Sequence, residues 1–354
     1  MGNDRSKATA RVMVASPLEA EHAVRIAGAF PDRAEVVYRP DLLPPTLYRG
    51  DHDGDPAWTR TPEQQREWLE LLAGADVLWD FPVASHTNLL EMTPRLRWVQ
   101  TTSAGVGQLV KNLGLQGSDL IVTTASGIHA QPLAEFTFGA LLGHTKRFDH
   151  LRAEQQARRW ERFSGGTLAG QVMAIVGPGR IGREVARLAK AFRMEVWAMG
   201  RDNSPARAEA LGVDRLFARE QLREMLAGAD CVVLCAPHTP ETEGMIGRAE
   251  LRAMRPGAVL VNIARGAMVD EEALIEVLRD GHLGFAALDV FRIEPLPAES
   301  PLWDMPNVLI APHSASTADS ENAALTERFI ENLGHYLAGE IESMQPRLDT
   351  TRLY

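Results

Sequence analysis

The sequence predicts an α/β protein made of two doubly wound parallel-sheet domains. Its 354 residues exceed the roughly 250–300 residues at which single cores stop growing, so two domains are expected. Short apolar strands alternate with helical patterns over residues 11–124, which is typical of a parallel sheet. A second alternating series begins near residue 168, with strands expected at residues 172–176, 195–199, 231–235, 259–263, 284–288 and 308–310.

In the first series, strands are expected at residues 11–15, 34–38, 76–81, 96–100 and 120–124, with helical spacing over residues 18–30 and 63–73. Residues 41–62 are rich in Pro, Gly and Asp and are interpreted as a long solvated loop. Within it Asp51-His-Asp-Gly-Asp55 suggests calcium binding. The EF-hand pattern fails, because Pro56 and Pro62 occupy its required Gly and Glu positions.

The composition is that of an ordinary globular protein, with 45% hydrophobic and 24% charged residues. The net charge of −10 argues against nucleic acid or an anionic membrane as a partner. There is no apolar run of about 20 residues and no signal-peptide core, although Gly2 and Ser6 match a short myristoylation pattern. Cys231 and Cys235 are too far apart along one strand for a disulfide. We therefore expect buried thiols and a cytoplasmic location.

The strongest local signal is a strand, a glycine turn and a helix over residues 172–192. The apolar strand ends at Gly177, and Gly177, Gly179 and Gly182 form G-x-G-x-x-G. The first glycine permits the tight turn, the second lets the backbone approach a pyrophosphate, and the third lets the helix pack on the strand. The positive end of the helix then faces the phosphates, which predicts dinucleotide binding.

Two other helices have a notable pattern. Residues 131–147 are apolar over most of the helical circumference, so this helix is expected to be buried between domains or against another subunit. Residues 150–162 are highly charged and predict a surface helix. A final helix is expected over residues 319–337.

Three further segments occur in order after the fingerprint, each at the end of an expected strand: residues 261–271 (VNIARGAMVDE), 287–297 (ALDVFRIEPLP) and 309–316 (LIAPHSAS). Together with the fingerprint they resemble the D-isomer-specific 2-hydroxyacid dehydrogenases, which include glyoxylate/hydroxypyruvate reductases. The resemblance implies a flavodoxin-like substrate domain (1–124 and 317–354) and a Rossmann cofactor domain (125–316). It also implies a homodimer and a ligand cleft between domains that closes by a hinge.

Reduction of a 2-oxo acid needs a cation for the carboxylate, a proton donor and a carboxylate that orients the donor. Arg265, His313 and Glu294 have the matching chemistry. By resemblance they are the family's catalytic Arg, His and Glu. Taken alone, Arg265 is equally compatible with a surface ion pair and Glu294 with a turn; the combination favours catalysis.

The resemblance also implies contacts to substrate and cofactor. The backbone of Ser103, Ala104, Gly105 and Val106 would receive the substrate carboxylate. The expected cofactor contacts are Gly177, Gly179, Arg180, Ile181, Gly182, Arg201, Ala236, Pro237, Thr242, Ile263, Ala264, Asp289 and Ser316, and no metal site is expected. His129 and His238 are unassigned, and the remaining histidines are interpreted as solvated (His22, His52, His86, His144, His150, His282 and His335).

The residues after the second strand of the cofactor domain favour NADP(H), with NAD(H) as the alternative. Gly200 occupies the position where NAD-specific members usually carry an acidic residue, and Arg201 follows it. The pair offers room and positive charge for a 2′-phosphate. Asp202 argues the other way, while Asn203 and Ser204 could donate to a phosphate.

Two positions depart from the family pattern. Gly107 follows the substrate loop where the family often has Asp, so the loop anchoring is expected to differ. Arg193 stands where Gly is common at a helix end, and a left-handed backbone there would cost on the order of 1 kcal/mol.

The sequence therefore predicts an oxidoreductase that transfers a hydride between NADP(H) and C2 of a 2-oxo or D-2-hydroxy acid. Two alternatives stay open: a dinucleotide-sensing protein similar to a co-repressor, and oxidation of formate or phosphite on the same fold. The particular substrate and the physiological direction are undetermined.

Overall fold

The structure, a computed structural model, describes residues 9–82, 89–201 and 204–353. The chain divides into two compact units, unit 1 (residues 1–129 and 317–354) and unit 2 (residues 130–316). The chain thus leaves unit 1 after His129 and re-enters it at Thr317. Each unit has its own parallel sheet and its own hydrophobic core.

The sheet of unit 1 has five parallel strands in the order β2-β1-β3-β4-β5. They are β1 (Ala10–Val14), β2 (Ala34–Val37), β3 (Val77–Trp79), β4 (Trp98–Gln100) and β5 (Ile121–Thr123). This order is flavodoxin-like, as predicted, and its switch point lies between β1 and β3.

The sheet of unit 2 has seven parallel strands in the order β12-β11-β10-β9-β6-β7-β8. They are β6 (Val172–Val176), β7 (Glu195–Met199), β8 (Arg215–Phe217), β9 (Cys231–Leu234), β10 (Ala258–Asn262), β11 (Leu283–Leu288) and β12 (Val308–Ile310). The sequence predicted six strands and missed β8. That strand is three residues long and begins with the exposed Arg215, so it has too little apolar periodicity to be recognised.

The helices surround the sheets and are numbered along the chain. They are α1 (Ala20–Ala29), α2 (Pro62–Ala73), α3 (Leu89–Met92), α4 (Gly107–Asn112), α5 (Ala130–Thr145), α6 (Phe148–Gln156), α7 (Arg180–Ala191), α8 (Pro205–Leu211), α9 (Leu222–Gly228), α10 (Arg248–Ala253), α11 (Glu271–Arg279) and α12 (Glu321–Ala338). The charged helix expected up to residue 162 ends at Gln156. Within the described ranges, no helix has both the length and the apolar character needed to cross a bilayer.

Helix α12 completes the core of unit 1. The ring of Phe329 stacks on Trp98 with centroids 5.0 Å apart and lies 5.4 Å from the ring of Trp79. All three side chains are fully buried. Asn332 also donates to Gln100 Oε1 at 2.9 Å in the interior. Unit 1 is therefore built from two distant parts of the chain.

Most of the apolar surface of α5 is buried inside unit 2 itself. Leu133, Ala134, Phe138 and Leu141 join the core that β6 and α7 share, and the Phe138 ring stacks on Phe192 at 5.0 Å. The unusual apolarity of this helix therefore has an explanation within one chain.

Three histidines interpreted as solvated are not. His22 is 5% exposed, and the His52 side chain is 15% exposed. The His144 ring stacks on Phe285 with centroids 4.6 Å apart. His22 lies on the same face of α1 as the buried Ala23 and Ile26, whereas the burial of His52 and His144 comes from tertiary contacts. His86 lies outside the described residues.

Arg193 has a left-handed backbone conformation with φ +58°, the conformation whose cost was considered from the sequence. It follows the C-cap Phe192 of α7. The amide of Met194 donates to Ala189 O at 3.0 Å and that of Arg193 to Lys190 O at 2.9 Å, which is the Schellman pattern. This position normally favours Gly, because a Cβ atom is strained there.

We predict that Arg193→Gly raises the free energy of unfolding by about 0.5–1 kcal/mol, since the backbone strain removed exceeds the entropy that Gly adds to the unfolded chain. Urea unfolding of the two proteins measures this. Arg193→Ala is the control, because it removes the charge and keeps the Cβ atom. Equal gains from both variants would trace the effect to charge and refute the backbone explanation.

Candidate active site

The glycine fingerprint has the close contacts that its sequence predicted. Gly177 has φ +92°, and a Cβ atom there would lie 2.6 Å from the backbone N and Cα of Ala236. A Cβ atom on Gly182 would lie 2.6 Å from Gly177 O. Larger residues at either position would push the turn away from the neighbouring strand end or from α7.

Gly179 differs from these two glycines. It precedes α7 as an extended N-cap residue without a side-chain cap, and nothing lies within 4 Å of the Cβ position. The first turn of a helix leaves amide N–H groups without intrahelical acceptors. Open space in front of such a turn fits the pyrophosphate of a dinucleotide, so the residues present fit the expected cofactor.

The residues after β7 are only partly described. Gly200 faces the Pro178 ring, whose carbon atoms would lie 3.2 Å from a Cβ atom. Arg201 is exposed, and its charge is near Glu241, whose pKa is lowered first by a hydrogen bond with Thr239 and further by neighbouring arginines. Asp202 and Asn203, which bear on the choice of cofactor, lie outside the described residues. Ser204 caps α8 by accepting from the amide of Arg207 at 3.3 Å.

His313 and Glu294 form a direct pair. His313 Nδ1 lies 2.7 Å from Glu294 Oε2, and Glu294 Oε1 accepts from the amide of Phe291 at 2.8 Å. Both side chains are partly exposed, 43% and 35%. Because Nδ1 faces the carboxylate, Nε2 is the nitrogen available to a ligand.

Asp289 holds the turn that carries His313. Its Oδ1 accepts from the amides of Ser314 and Ala315, both at 2.9 Å, and its carbonyl accepts from the amide of His313 at 2.9 Å. His313 has φ +53°, an uncommon conformation for a residue with a side chain. Burial raises the pKa of Asp289, although the two amides favour its ionised form. A contact between Asp289 and the nicotinamide end of the cofactor stays a prediction.

Arg265 lies just beyond β10 in an extended conformation. Asn262 braces this segment, since its side chain accepts from the amide of Ala264 at 3.1 Å and donates to Arg265 O at 3.2 Å. Burial lowers the pKa of Arg265, while the charges of Glu294 and Asp289 raise it. A guanidinium stays protonated in this setting, so the site contains a fixed cation close to the His313–Glu294 pair.

Gly266 explains how these two loops approach each other. A Cβ atom at this position would overlap the backbone of Phe291. Phe291 is also the residue whose amide binds Glu294. The absence of a side chain at position 266 therefore keeps the Arg265 segment against the Glu294 segment. Asn262, Gly266 and Phe291 were not predicted as site residues, because only the tertiary contact reveals them.

The predicted substrate loop lies in unit 1, after β4. Thr101 Oγ1 donates to Ser103 O at 2.6 Å, and the amide of Ala125 donates to the same oxygen at 3.1 Å. Ser103 and Gly105 are exposed and Val106 is buried. At Gly107 a Cβ atom would overlap the carbonyl of Leu353. The C-terminal segment thus occupies the space that an Asp at position 107 would need.

The remaining predicted cofactor contacts follow the carboxyl ends of strands β6, β9, β10 and β12 in the unit 2 sheet. Ala236, Ile263 and Ala264 are buried, Pro237 and Arg180 are exposed, and Ile181 and Ser316 are intermediate. Thr242 Oγ1 donates to Pro237 O at 2.7 Å and so shapes its loop. Within residues 9–82, 89–201 and 204–353, no group of three His, Cys, Asp or Glu side chains could hold a metal ion.

Comparisons with known proteins agree with this arrangement. The family model described as "D-isomer specific 2-hydroxyacid dehydrogenase, NAD binding domain" matches residues 138–315. A glyoxylate reductase of Korarchaeum cryptofilum is 34% identical over 261 residues, which cover 72% of this chain and 77% of the relative. A D-3-phosphoglycerate dehydrogenase of Methanocaldococcus jannaschii is 34% identical over 287 residues, 78% of this chain and 52% of the relative. The chain thus spans about half the length of the phosphoglycerate dehydrogenases it matches.

A solved structure agrees over almost the whole chain. The NADPH-dependent glyoxylate/hydroxypyruvate reductase of Sinorhizobium meliloti, solved with NADP and sulfate, is 26% identical to this chain, with a TM-score of 0.76. The match covers 98% of this chain and all of that one. On its fold, its motifs and these similarities, the chain belongs to the D-isomer specific 2-hydroxyacid dehydrogenase family.

Proposed function

We propose that the protein is a 2-hydroxyacid dehydrogenase that prefers NADP(H) and reduces a small 2-oxo acid. The observation that carries this proposal is the His313–Glu294 pair beside the cation of Arg265. The relatives named as glyoxylate reductases support the substrate class, and the Sinorhizobium enzyme bound to NADP supports the cofactor.

The proposed mechanism divides the work among the chain's own groups. Arg265 binds the substrate carboxylate and polarises the C2 carbonyl, because its guanidinium is a permanent cation with a forked set of donors. His313 donates the Nε2 proton to the carbonyl oxygen, and Glu294 orients the imidazole through its contact with Nδ1. A nicotinamide dinucleotide held at the glycine turn would supply the hydride that C2 receives. One C=O π bond is lost, and one C–H and one O–H bond form.

The dinucleotide would be held by the glycine turn at Gly177–Gly182 and by the loops after β7, β9 and β10. As the family resemblance implies, the backbone of Ser103–Val106 would contact the substrate carboxylate. Loss of nicotinamide absorbance with glyoxylate, hydroxypyruvate, pyruvate and phenylpyruvate tests the reaction directly. Tight binding of NADPH without turnover of any of these acids would contradict the proposal and favour a dinucleotide-sensing role.

We predict that His313→Asn lowers kcat by about 10²–10⁴-fold, the usual contribution of a positioned general acid. The Kd for the dinucleotide should stay within about two-fold, since the predicted dinucleotide contacts come from other residues. Stopped-flow turnover and fluorescence titration measure the two quantities. His335→Asn is the control, because His335 pairs with Glu340 at 2.9 Å on the surface of unit 1. A fully active His313→Asn protein would remove His313 from the acid role.

We predict that Arg201→Gln raises the KM for NADPH by about ten- to hundred-fold and changes the KM for NADH by less than about two-fold. Loss of a charge-assisted hydrogen bond to the 2′-phosphate has this magnitude. Arg223→Gln is the matched control, because Arg223 is an exposed arginine paired with Glu250 at 2.8 Å. Equal weakening of both cofactors by Arg201→Gln would refute the NADP assignment.

We also propose a homodimer. Trp160 is 95% exposed, and Phe148 and Leu151 of the neighbouring helix α6 are 46% and 45% exposed. Large exposed apolar side chains that lie close together in sequence favour a protein interface. The expected cytoplasmic location stays a prediction.

We predict that Trp160→Ala shifts the protein from dimer to monomer at micromolar concentration, because a buried Trp anchor contributes strongly to an interface. Sedimentation velocity measures the shift. Val24→Ala is the control, since Val24 is 70% exposed on α1, away from this cluster in sequence. A wild-type protein that sediments as a monomer would refute the proposed dimer.

A further inference from the structure

Unit 1 contains a buried cluster of ionisable groups that the proposed mechanism does not use. Glu321, in the first turn of α12, is 7% exposed. Its Oε1 lies 2.9 Å from His129 Nε2 and 3.6 Å from His52 Nε2. The two imidazoles therefore face one carboxylate oxygen. We call His52, His129 and Glu321 the histidine–glutamate cluster.

An ordered loop places His52 in this cluster. The Asp51 carboxylate is buried and accepts from the backbone amides of Leu47, Asp53 and Gly54 at 2.8–3.1 Å. Residues 51–55, which suggested calcium binding and were interpreted as part of a solvated loop, are thus folded around the Asp51 carboxylate. This arrangement fixes the backbone of the adjacent His52.

The cluster is connected to the predicted substrate loop by two routes. His129 ends the short segment that begins after β5, and the amide of Ala125 in this segment donates to Ser103 O at 3.1 Å. On the other side, Asp80 accepts from Thr102 Oγ1 at 2.5 Å, and its charge acts on His52. The start of the loop Ser103–Val106 is therefore linked to the cluster through the chain from Ala125 to His129 and through the charge of Asp80, which acts on His52.

The charges in the cluster are interdependent. The two histidines hold the pKa of Glu321 at about 2, although its burial acts in the opposite direction. The pKa of His52 is raised: its burial lowers it, but the carboxylates of Glu321 and Asp80 and the backbone at Pro17 outweigh burial. Burial raises the pKa of Asp80, and His52 opposes this. Tyr48 also lies within the field of Glu321.

We propose that His52, His129 and Glu321 are positioning residues, which hold the Ser103–Val106 loop in the shape that binds a 2-oxo acid. The proposal rests on the proposed function for its link to catalysis. The hold is proton-linked through His52, because the pKa of this imidazole beside the buried Glu321 carboxylate is raised. None of the three residues contacts a reacting atom in this assignment.

The first test measures kinetics. Glu321→Gln should raise the KM for the 2-oxo acid by about ten-fold, as expected for loss of one charge-assisted hydrogen bond. The Kd for NADPH should be unchanged, because the fingerprint lies in unit 2. Glu340→Gln is the matched control, since it breaks a His–Glu pair of the same 2.9 Å length, an exposed one just beyond the other end of α12. His129→Gln should have a KM close to that of the wild-type protein, because Gln can still donate to Glu321. His129→Leu should have a raised KM, because Leu cannot donate.

The second test does not depend on activity. In the full-length Glu321→Gln protein, amide hydrogen exchange should rise about ten-fold or more, jointly in residues 47–55, 101–106 and 124–129, and stay unchanged in residues 172–199. A rise in one of the three segments alone, or an equal rise in Glu340→Gln, overturns the proposal. If the wild-type protein reduces no 2-oxo acid, the proposed function fails and the exchange result still decides whether the cluster holds the loop.

The third test uses His52→Gln, which removes one titrating group and preserves the side-chain size. A raised pKa in the folded state gives stabilisation below the ordinary His value, and that stabilisation is lost as pH rises through the raised value. The Tm of the wild-type protein should therefore fall as the pH rises above the ordinary His value of about 6.5, and this fall should be smaller in His52→Gln. Identical slopes in the two proteins would remove His52 from the proton-linked cluster.

Discussion

Arg265, Asp289 and His313 follow three neighbouring strands, β10, β11 and β12, and the parallel ladder brings the ends of these strands to one edge of the sheet. Parallel pairing is the constraint on which the site depends, because it gathers residues that are far apart in sequence at one edge of the sheet. Side-chain contacts then refine the arrangement. Asp289 holds the turn of His313, and the missing side chain at Gly266 lets the Arg265 segment approach Phe291.

Much of this edge could be predicted from sequence because the signals are local. A buried strand followed by glycines and an amphipathic helix identifies the fingerprint. Arg265 and His313 were assigned from their chemistry and from the family resemblance, and their roles stay predictions. Both sheets have the predicted parallel, doubly wound character. The supporting contacts could not be predicted. The close approach at Gly266 and the two amides bound by Asp289 depend on neighbours that only the folded chain brings together.

Unit 1, which carries the predicted substrate loop, also combines features that local sequence predicts with features that depend on tertiary contacts. Its five strands were predicted, but the loop after residue 41 was interpreted as solvated, because Asp and Gly are typical of exposed turns. The structure instead uses Asp51 to bind three amides of its own loop. The neighbouring His52 is buried as a result, and its partner Glu321 lies on a helix from the far end of the chain. A short strand such as β8 escapes recognition for a simpler reason, since three residues carry too little periodicity.

The discontinuous construction of unit 1 has a consequence for biosynthesis. The fully buried Trp79 and Trp98 pack on Phe329 of α12, and Gln100 receives its bond from Asn332 of the same helix. Unit 2 lies between these two parts of the chain and contains all of its own strands. Because domains fold as units during translation, unit 2 has its complete sequence outside the ribosome first. The five-stranded sheet, although synthesised earlier, lacks the cover of Phe329 over its two tryptophans until α12 emerges.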